Sequence, residues 1–227
     1  MSTLWSFNGG YVDTAGFLAL HGLFTAHVTG NFVTFGAAIA HGKPGLAKLV
    51  ALPVFCVVIV LIRTIANRLR SLEWRVLESV VFLMVLLLSS AAGSAIAWGP
   101  FATSDCPAAL TTGMTLVAAM AIQNAAQRVH LSKAPPSTLM TGTSTQMMID
   151  IADLGTGRLT PDGRAGVLAR LRAMSTSVAS FALGCGVAAL FFIFFQMKVF
   201  LLPPMIAAVS LLAIVRTRRR PELGHPS

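Results

Sequence analysis

From Thr14 to Gly42 the chain has no Asp, Glu, Lys or Arg, and inside this stretch stands the polar run His27-Val28-Thr29-Gly30-Asn31. Just ahead of it lies Asp13, the only acidic residue between Met1 and Arg63. A carboxylate in apolar surroundings is expensive unless something pairs with it. Two readings of Asp13 stand: a proton- or cation-coupling group with a pKa raised by burial, or an interfacial carboxylate favoured by a helix N-terminus. His27 is a group that could titrate near neutral pH or donate to a solute, or a capping histidine at the membrane interface. His21 sits six positions before it, on a different helical face, so the two do not form an i,i+4 metal pair; no metal site is expected, and His21 reads as a packing residue.

The run has an echo in Leu139-Met140-Thr141-Gly142-Thr143. Helices starting at Asn31 and Thr143 would point positive dipole ends at one place, which suits an anionic or carboxylate-bearing solute. Thr29 and Asn31 are candidate caps for the first of these starts. Gly30 and Gly142 are the positions where backbone freedom or close approach is expected. Gln123, Asn124 and Gln127 put three amides on about one turn of a helix, for solute binding or for interhelical hydrogen bonds. The candidate solute-binding set is therefore Asp13, His27, Thr29, Gly30, Asn31, Gln123, Asn124, Gln127, Thr141, Gly142 and Thr143. Asp150 and Asp153 read as a solvated helix face, with an i,i+3 cation pair as the weaker alternative.

The elements that must position these residues follow from composition. Of the 227 residues 55% are hydrophobic and 11% charged, with a mean hydropathy of +0.76, the balance of a polytopic membrane protein. The stretch 14–42 would be roughly 44 Å long as one helix at ~1.5 Å per residue, against a hydrocarbon core of ~30 Å. It is too long for one crossing and too short for two. The economical arrangement is a span over about 8–26, a break at 27–31 and a short helix over about 32–40. Further spans are expected near 46–62, 77–98, 109–129, 173–196 and 199–215, with a second short helix near 144–154 and a polar loop over 155–164. Pro53 is a candidate kink, Trp98 an interfacial anchor, and Pro203-Pro204 fit the first turn of the last span. Small residues at Ala91–Ala95 and Gly184-Cys185-Gly186 allow close helix packing.

The net charge of +9 would point to nucleic acid in a soluble protein, but its placement argues otherwise. Lys and Arg fall at 63, 68, 70 and 75, at 128, 133, 158, 164, 170 and 172, and at 216, 218, 219 and 220, leaving Lys43, Lys48 and Lys198 elsewhere. In a six-span chain the large groups lie on alternate loops, which satisfies the positive-inside rule with both termini cytoplasmic and leaves nucleic-acid binding unnecessary. Cys56, Cys106 and Cys185 stand singly and read as packing residues, with neither a disulfide framework nor a CxxC site. The first residues lack a signal-peptide pattern, so the first apolar stretch is expected to stay as structure.

The matched breaks divide the chain into residues 1–106 and 107–220, each with three spans and a short helix, and a cytoplasmic tail at 221–227. Because three is odd, the second unit must enter from the opposite side. The expected fold is all-α, with six spanning helices and a 3+3 inverted repeat. The stretches Asn8-Gly9-Gly10-Tyr11-Val12-Asp13-Thr14-Ala15-Gly16-Phe17-Leu18, Thr25 to Asn31, Gln123-Asn124-Ala125 and Thr138 to Thr143 resemble the YoaK family of bacterial inner-membrane proteins. That resemblance covers nearly the whole chain. It implies a domain of unknown function with about six spans in the inner membrane, and no catalytic residues.

No Walker loop, GxSxG elbow, HExxH helix or serine–histidine–acid grouping is visible, so no enzyme and no cofactor is expected. The expected function is a secondary transporter or permease for a small solute, with proton coupling through Asp13 as the mechanism the residues suggest. The alternative is a membrane scaffold, sensor subunit or assembly component whose breaks are folding devices. Expected partners are the lipid bilayer and a small solute, with homo-oligomerisation left open.

Overall fold

The computed structural model describes all residues except 44, 72–74, 132–134, 139, 158 and 220–227. Lys133, Leu139, Arg158, Arg220 and the expected tail therefore lie outside the described residues. Among those described, every regular element is helical: α1 (Ser2–Ala19), α2 (Gly30–Ala40), α3 (Leu46–Ser71), α4 (Val76–Trp98), α5 (Pro107–His130), α6 (Met140–Gly155), α7 (Pro161–Phe195) and α8 (Leu202–Arg219), with a 3-10 turn over Gln196–Leu201 before α8.

Among the described residues, three helical stretches are long and apolar enough to cross a membrane: Leu46–Arg68, Val76–Trp98 and Pro161–Thr217. The last holds α7 and α8, broken at Gln196, whose φ is +48°. The stretches do not include α1 or α5, and the reason is compositional. These two carry Asn8, Asp13, Gln123 and Gln127, all buried, and lie among the apolar helices that screen them.

Several boundaries differ from expectation: α3 runs on to Ser71 and α6 starts at Met140, and α1 and α7 differ most. Helix α1 starts at Ser2 and ends at Ala19, not near Ala26, because His21 (φ +54°) and Gly22 (φ +86°) turn the chain back on itself. Residues 25–27 are thereby released from the helix, and Asp13 lies three turns inside it. Helix α7 begins at Pro161 rather than near Ala173. Thr160 caps it by accepting from the Gly163 amide at 3.2 Å, and Pro161 occupies the first turn, where its missing N–H costs nothing. At ~1.5 Å per residue its 35 residues exceed a ~30 Å core, and the excess is the Arg-bearing part before Met174. That part carries Arg170, which donates to Asp150 from Nε (2.8 Å) and Nη2 (2.6 Å). Asp150 is fully buried, not a solvated-face carboxylate, and Arg170's hydrogen bonds hold its carboxyl below the usual carboxylate range. Pro203 and Pro204 fall in the first turn of α8, as expected.

The helices pair in a regular way. Helix α1 lies along α7, α5 along α3, α2 on α3, α6 on α7, α4 on α5 and α8 on α1, while α4 meets α8 and α1 meets α5. One end of the bundle gathers Gly22, the turn at His41-Gly42, the loop 99–106 and the 3-10 turn: His21 Nε2 lies 2.8 Å from the Phe101 carbonyl, Asp105 accepts from Leu46 N at 2.8 Å, and a Cβ on Gly99 would meet Met197.

The α1–α7 contact is the closest. A Cβ on Gly10 would collide with the Phe181 carbonyl, and one on Gly184 with the Phe7 carbonyl. Ser6 and Ser177 hydroxyls meet at 2.7 Å, and Tyr11 donates to the Val199 carbonyl at 2.9 Å. Backbone cannot rotate away as a side chain can. Alanine at Gly10 or Gly184 is therefore expected to lower stability by about 1–3 kcal/mol through overpacking, read as a fall in the thermal midpoint of the purified protein. Alanine at Gly186, where a Cβ meets nothing within 4 Å, is the control and should leave it unchanged.

Candidate functional site

The first break is held by one carboxylate. Asp13 Oδ1 accepts from the amides of Thr25 (2.8 Å), Ala26 (2.7 Å) and His27 (3.3 Å), and Oδ2 lies 2.7 Å from His27 Nδ1. These are the donors a chain leaving a helix inside an apolar bundle must satisfy, and a charged acceptor satisfies them well. Asn31 closes the same loop further along, accepting from Phe24 N at 2.8 Å and donating to Phe24 O at 2.7 Å. It is thus a clip across the loop rather than a helix cap. Thr29 occupies the cap position of α2 without a side-chain cap bond.

The second break uses neutral amides for the same task. Gln127 accepts from Ser137 N at 3.1 Å and donates to Pro135 O at 2.6 Å, and Asn124 accepts from the Thr138 hydroxyl at 2.7 Å. Gln123 instead joins the halves, accepting from Asn8 at 2.8 Å and donating to the Trp5 carbonyl at 2.9 Å. The breaks meet directly. The His27 ring, already on Asp13, interacts with the Thr138 backbone carbonyl, and a Cβ on Gly9 would stand 3.2 Å from the Thr138 methyl.

Two cavities flank this meeting point. One, of about 540 Å³, runs from Asp13 and His27 along α1 to Leu18, with Phe181 and Cys185 of α7 as its far wall. The other, of about 390 Å³, runs from His27 and Thr138 along α3 to Arg63 and along α5 to Arg128. His27 and Thr29 line both. The His27 side chain is 32% exposed and the Asp13 side chain 6%, so the imidazole faces the cavities and screens the carboxylate behind it.

The candidate residues thus divide. Asp13, His27, Thr29 and Gly30 line the first cavity, and His27, Thr29 and Asn124 the second. Asn31, Gln123 and Gln127 are buried and engaged in the hydrogen bonds above, and Thr143 is buried in α6. Thr141 and Gly142 are exposed. A Cβ on Gly142 meets nothing within 4 Å, so the expected crowding at that glycine is absent, because the chain comes closest to α1 at Ser137 and Thr138 instead. A Cβ on Gly30 would come within 3.0 Å of the Phe24 ring, and Gly30 has no positive φ. Cys56 and Cys185, read from the sequence as packing residues, stand one in each cavity wall. The available signal was a cysteine four positions after an apolar wall residue, Leu52/Cys56 on α3 and Phe181/Cys185 on α7.

Residues 1–214 match the model of the family described as Protein of unknown function (DUF1275). The chain belongs to that family. This agrees with the resemblance drawn from the Asn8–Leu18 and Thr-Gly stretches, at the level of a family without an assigned activity. No curated protein and no solved structure matches the chain.

Replacing Asp13 by Ala removes the acceptor of three amides and leaves His27 without its partner. Each charge-assisted bond is worth about 1.5–3 kcal/mol, so amide exchange across residues 25–27 should accelerate by roughly 10- to 100-fold relative to the parent, read by hydrogen–deuterium exchange. Gly142→Ala, facing open space, should shift stability by no more than about 0.5 kcal/mol, and its effect should add to that of Gly30→Ala within a similar margin.

Proposed function

We propose that the chain is a multi-pass carrier of the bacterial inner membrane, moving a small solute between two cavities that are separated by the His27–Asp13 pair and the facing Thr138. The observation that carries this reading is the placement of His27: it lines both cavities, and the cavities run toward opposite ends of the bundle. A solute in either one meets the same imidazole. Asp13 behind it is a natural proton partner, since protonating either group changes the bond that holds the first break closed. The start of α2 at Gly30, on the first cavity, places partial positive charge there and favours an anionic solute.

In this reading the six long helices α1, α3, α4, α5, α7 and α8 cross the bilayer, and α2 and α6 are half-helices entering from opposite faces. Support for an inverted 3+3 repeat comes from the pairing of helices. Exchanging α1 with α5, α2 with α6, α3 with α7 and α4 with α8 turns the α1–α7 contact into α5–α3, α2–α3 into α6–α7 and α4–α5 into α8–α1. The α3–α4 contact departs from this rule, for α7 and α8 do not touch. Support for cytoplasmic termini is the charge partition, with Lys43, Lys48 and Lys198 all at the end opposite the arginine-rich segments.

A scaffold role is favoured by one fact, that most polar groups of the breaks already have protein partners. Native cysteines separate the two readings. In a Cys106→Ser background, a membrane-impermeant maleimide should reach Cys185 from the periplasmic face and Cys56 from the cytoplasmic face, while a cysteine introduced as Arg219→Cys reacts from the cytoplasmic face alone. Labelling of Cys56 and Cys185 from one and the same face removes the opposed cavities and the carrier with them. Protection of both cysteines from either face leaves the breaks as sealed folding devices and supports the scaffold.

A further inference from the structure

We propose that the end of the bundle opposite the arginine-rich one carries a second site, a cationic pocket built around Lys48 that binds a small oxyanion, phosphate or carboxylate. The pocket is a cavity of about 510 Å³ between the loop after α1, the end of α2, the start of α3 and the loop 99–106, and its polar wall includes His21, Thr34, His41, Lys43, Lys48 and Ser104. Its volume suits a small metabolite or one headgroup.

Lys48 is the anomaly that calls for a ligand. It is 9% exposed, yet among the described residues no carboxylate stands within ion-pair distance of its ammonium. It also lies in the first turn of α3, where the helix dipole disfavours a cation. The nearby acid is Asp105, and its oxygens are taken by Leu46 N (2.8 Å), Ala47 N (3.0 Å) and the Ser104 hydroxyl (3.0 Å). Burial pushes the Asp105 carboxyl up, but those three donors and the Lys48 charge outweigh it and hold the group below the usual carboxylate range. Asp105 therefore stays charged at neutral pH and fixes the start of α3, attracting Lys48 without pairing with it. The Lys48 side chain is thus mostly buried, lines the cavity and has no carboxylate within ion-pair distance, and an oxyanion entering the pocket supplies the missing partner.

The surroundings are prepared for one. Gly22, at φ +86°, stands beside Lys48: a Cβ there would make an ordinary contact with Nζ at 3.8 Å. His21 adopts φ +54°, rare for a residue with a side chain, and its ring is tethered to the Phe101 carbonyl at 2.8 Å, beside the pocket. The charge pattern agrees. Only Lys43, Lys48 and Lys198 break the partition that places basic residues at the other end, and two of the three line this one cavity. A topology signal has no use for them there. Lys43, just past α2, also suits that helix's C-terminal dipole, whereas Lys48 has no such role.

The phosphate could arrive as a free ion or on a lipid headgroup, since the pocket lies at one end of the bundle. The test uses the full chain purified in dodecyl maltoside and its thermal unfolding, titrated at constant ionic strength with inorganic phosphate and with succinate, and in a parallel arm with phosphatidylglycerol against phosphatidylcholine. The parent should show a saturable rise in midpoint with a free anion or with phosphatidylglycerol; which of the two acts identifies the source. Lys48→Gln should weaken the apparent affinity about tenfold or more, and Lys43→Ala or His41→Ala, both at exposed positions, should weaken it in a protein that still folds. Lys198→Ala, outside the pocket, should respond as the parent does. No saturable response in the parent to phosphate, succinate or phosphatidylglycerol overturns the site, as does a response that survives undiminished in the Lys48 and Lys43 variants.

Discussion

The structure depends on a single carboxylate accepting the amides of a chain that has left its helix. Once His21 and Gly22 reverse the backbone, residues 23–29 run back beside α1 within an apolar bundle, and their N–H groups have no helix to return to. Unpaired amides in such a place would each cost as much as a lost hydrogen bond or more. Asp13 takes three of them and His27 besides, which is why α2 can begin at Gly30, beside Asp13 partway along α1, rather than at the end of the bundle. Both central cavities exist because of that depth. A continuous helix through 20–40 would have filled the space that the loop and α2 leave beside α7.

Holding Asp13 in place is a packing problem, solved by glycine. The reciprocal contacts of Gly10 with Phe181 and Gly184 with Phe7 bring α1 and α7 to backbone distance, with Phe181 and Cys185 beside Asp13 and His27. The His27 ring then packs edge-on against Phe181, with centroids 5.3 Å apart. On the other side Gln123 fixes α5 to α1 through Asn8 and Trp5. Close packing and buried amides here replace the hydrophobic driving force that lipid does not supply between helices.

Much of this was legible in the sequence, unevenly. Helices α3, α4 and α5 announce themselves as apolar runs ended by arginines, by Gly99-Pro100 or by Pro107, and Asp13 and His27 stand out because little else in their stretch is polar. Their partnership was not legible, since it depends on a reversal at His21 and Gly22 that leaves no mark in a hydropathy pattern. The same limit hid the first dozen residues of α7, polar enough to resemble a loop, and the Asp150–Arg170 pair, which joins two elements through a turn. Gly142 misled for a related reason. The Thr-Gly echo is real in sequence, but the second break touches α1 at Ser137 and Thr138, ahead of the motif.

The two breaks answer one structural demand with different chemistry, and the difference has a consequence. In each, a side chain from the preceding helix reaches the returning loop: Asp13 to Thr25, Gln127 to Ser137. Gln127 and Asn124 are neutral amides, and their bonds are indifferent to pH. The first break rests instead on a carboxylate and an imidazole, so three amides and a ring nitrogen gather on one charged acceptor rather than on neutral amides. The two breaks are thus of similar build but close on acceptors of different charge. They come together where His27 and Thr138 line the same cavity.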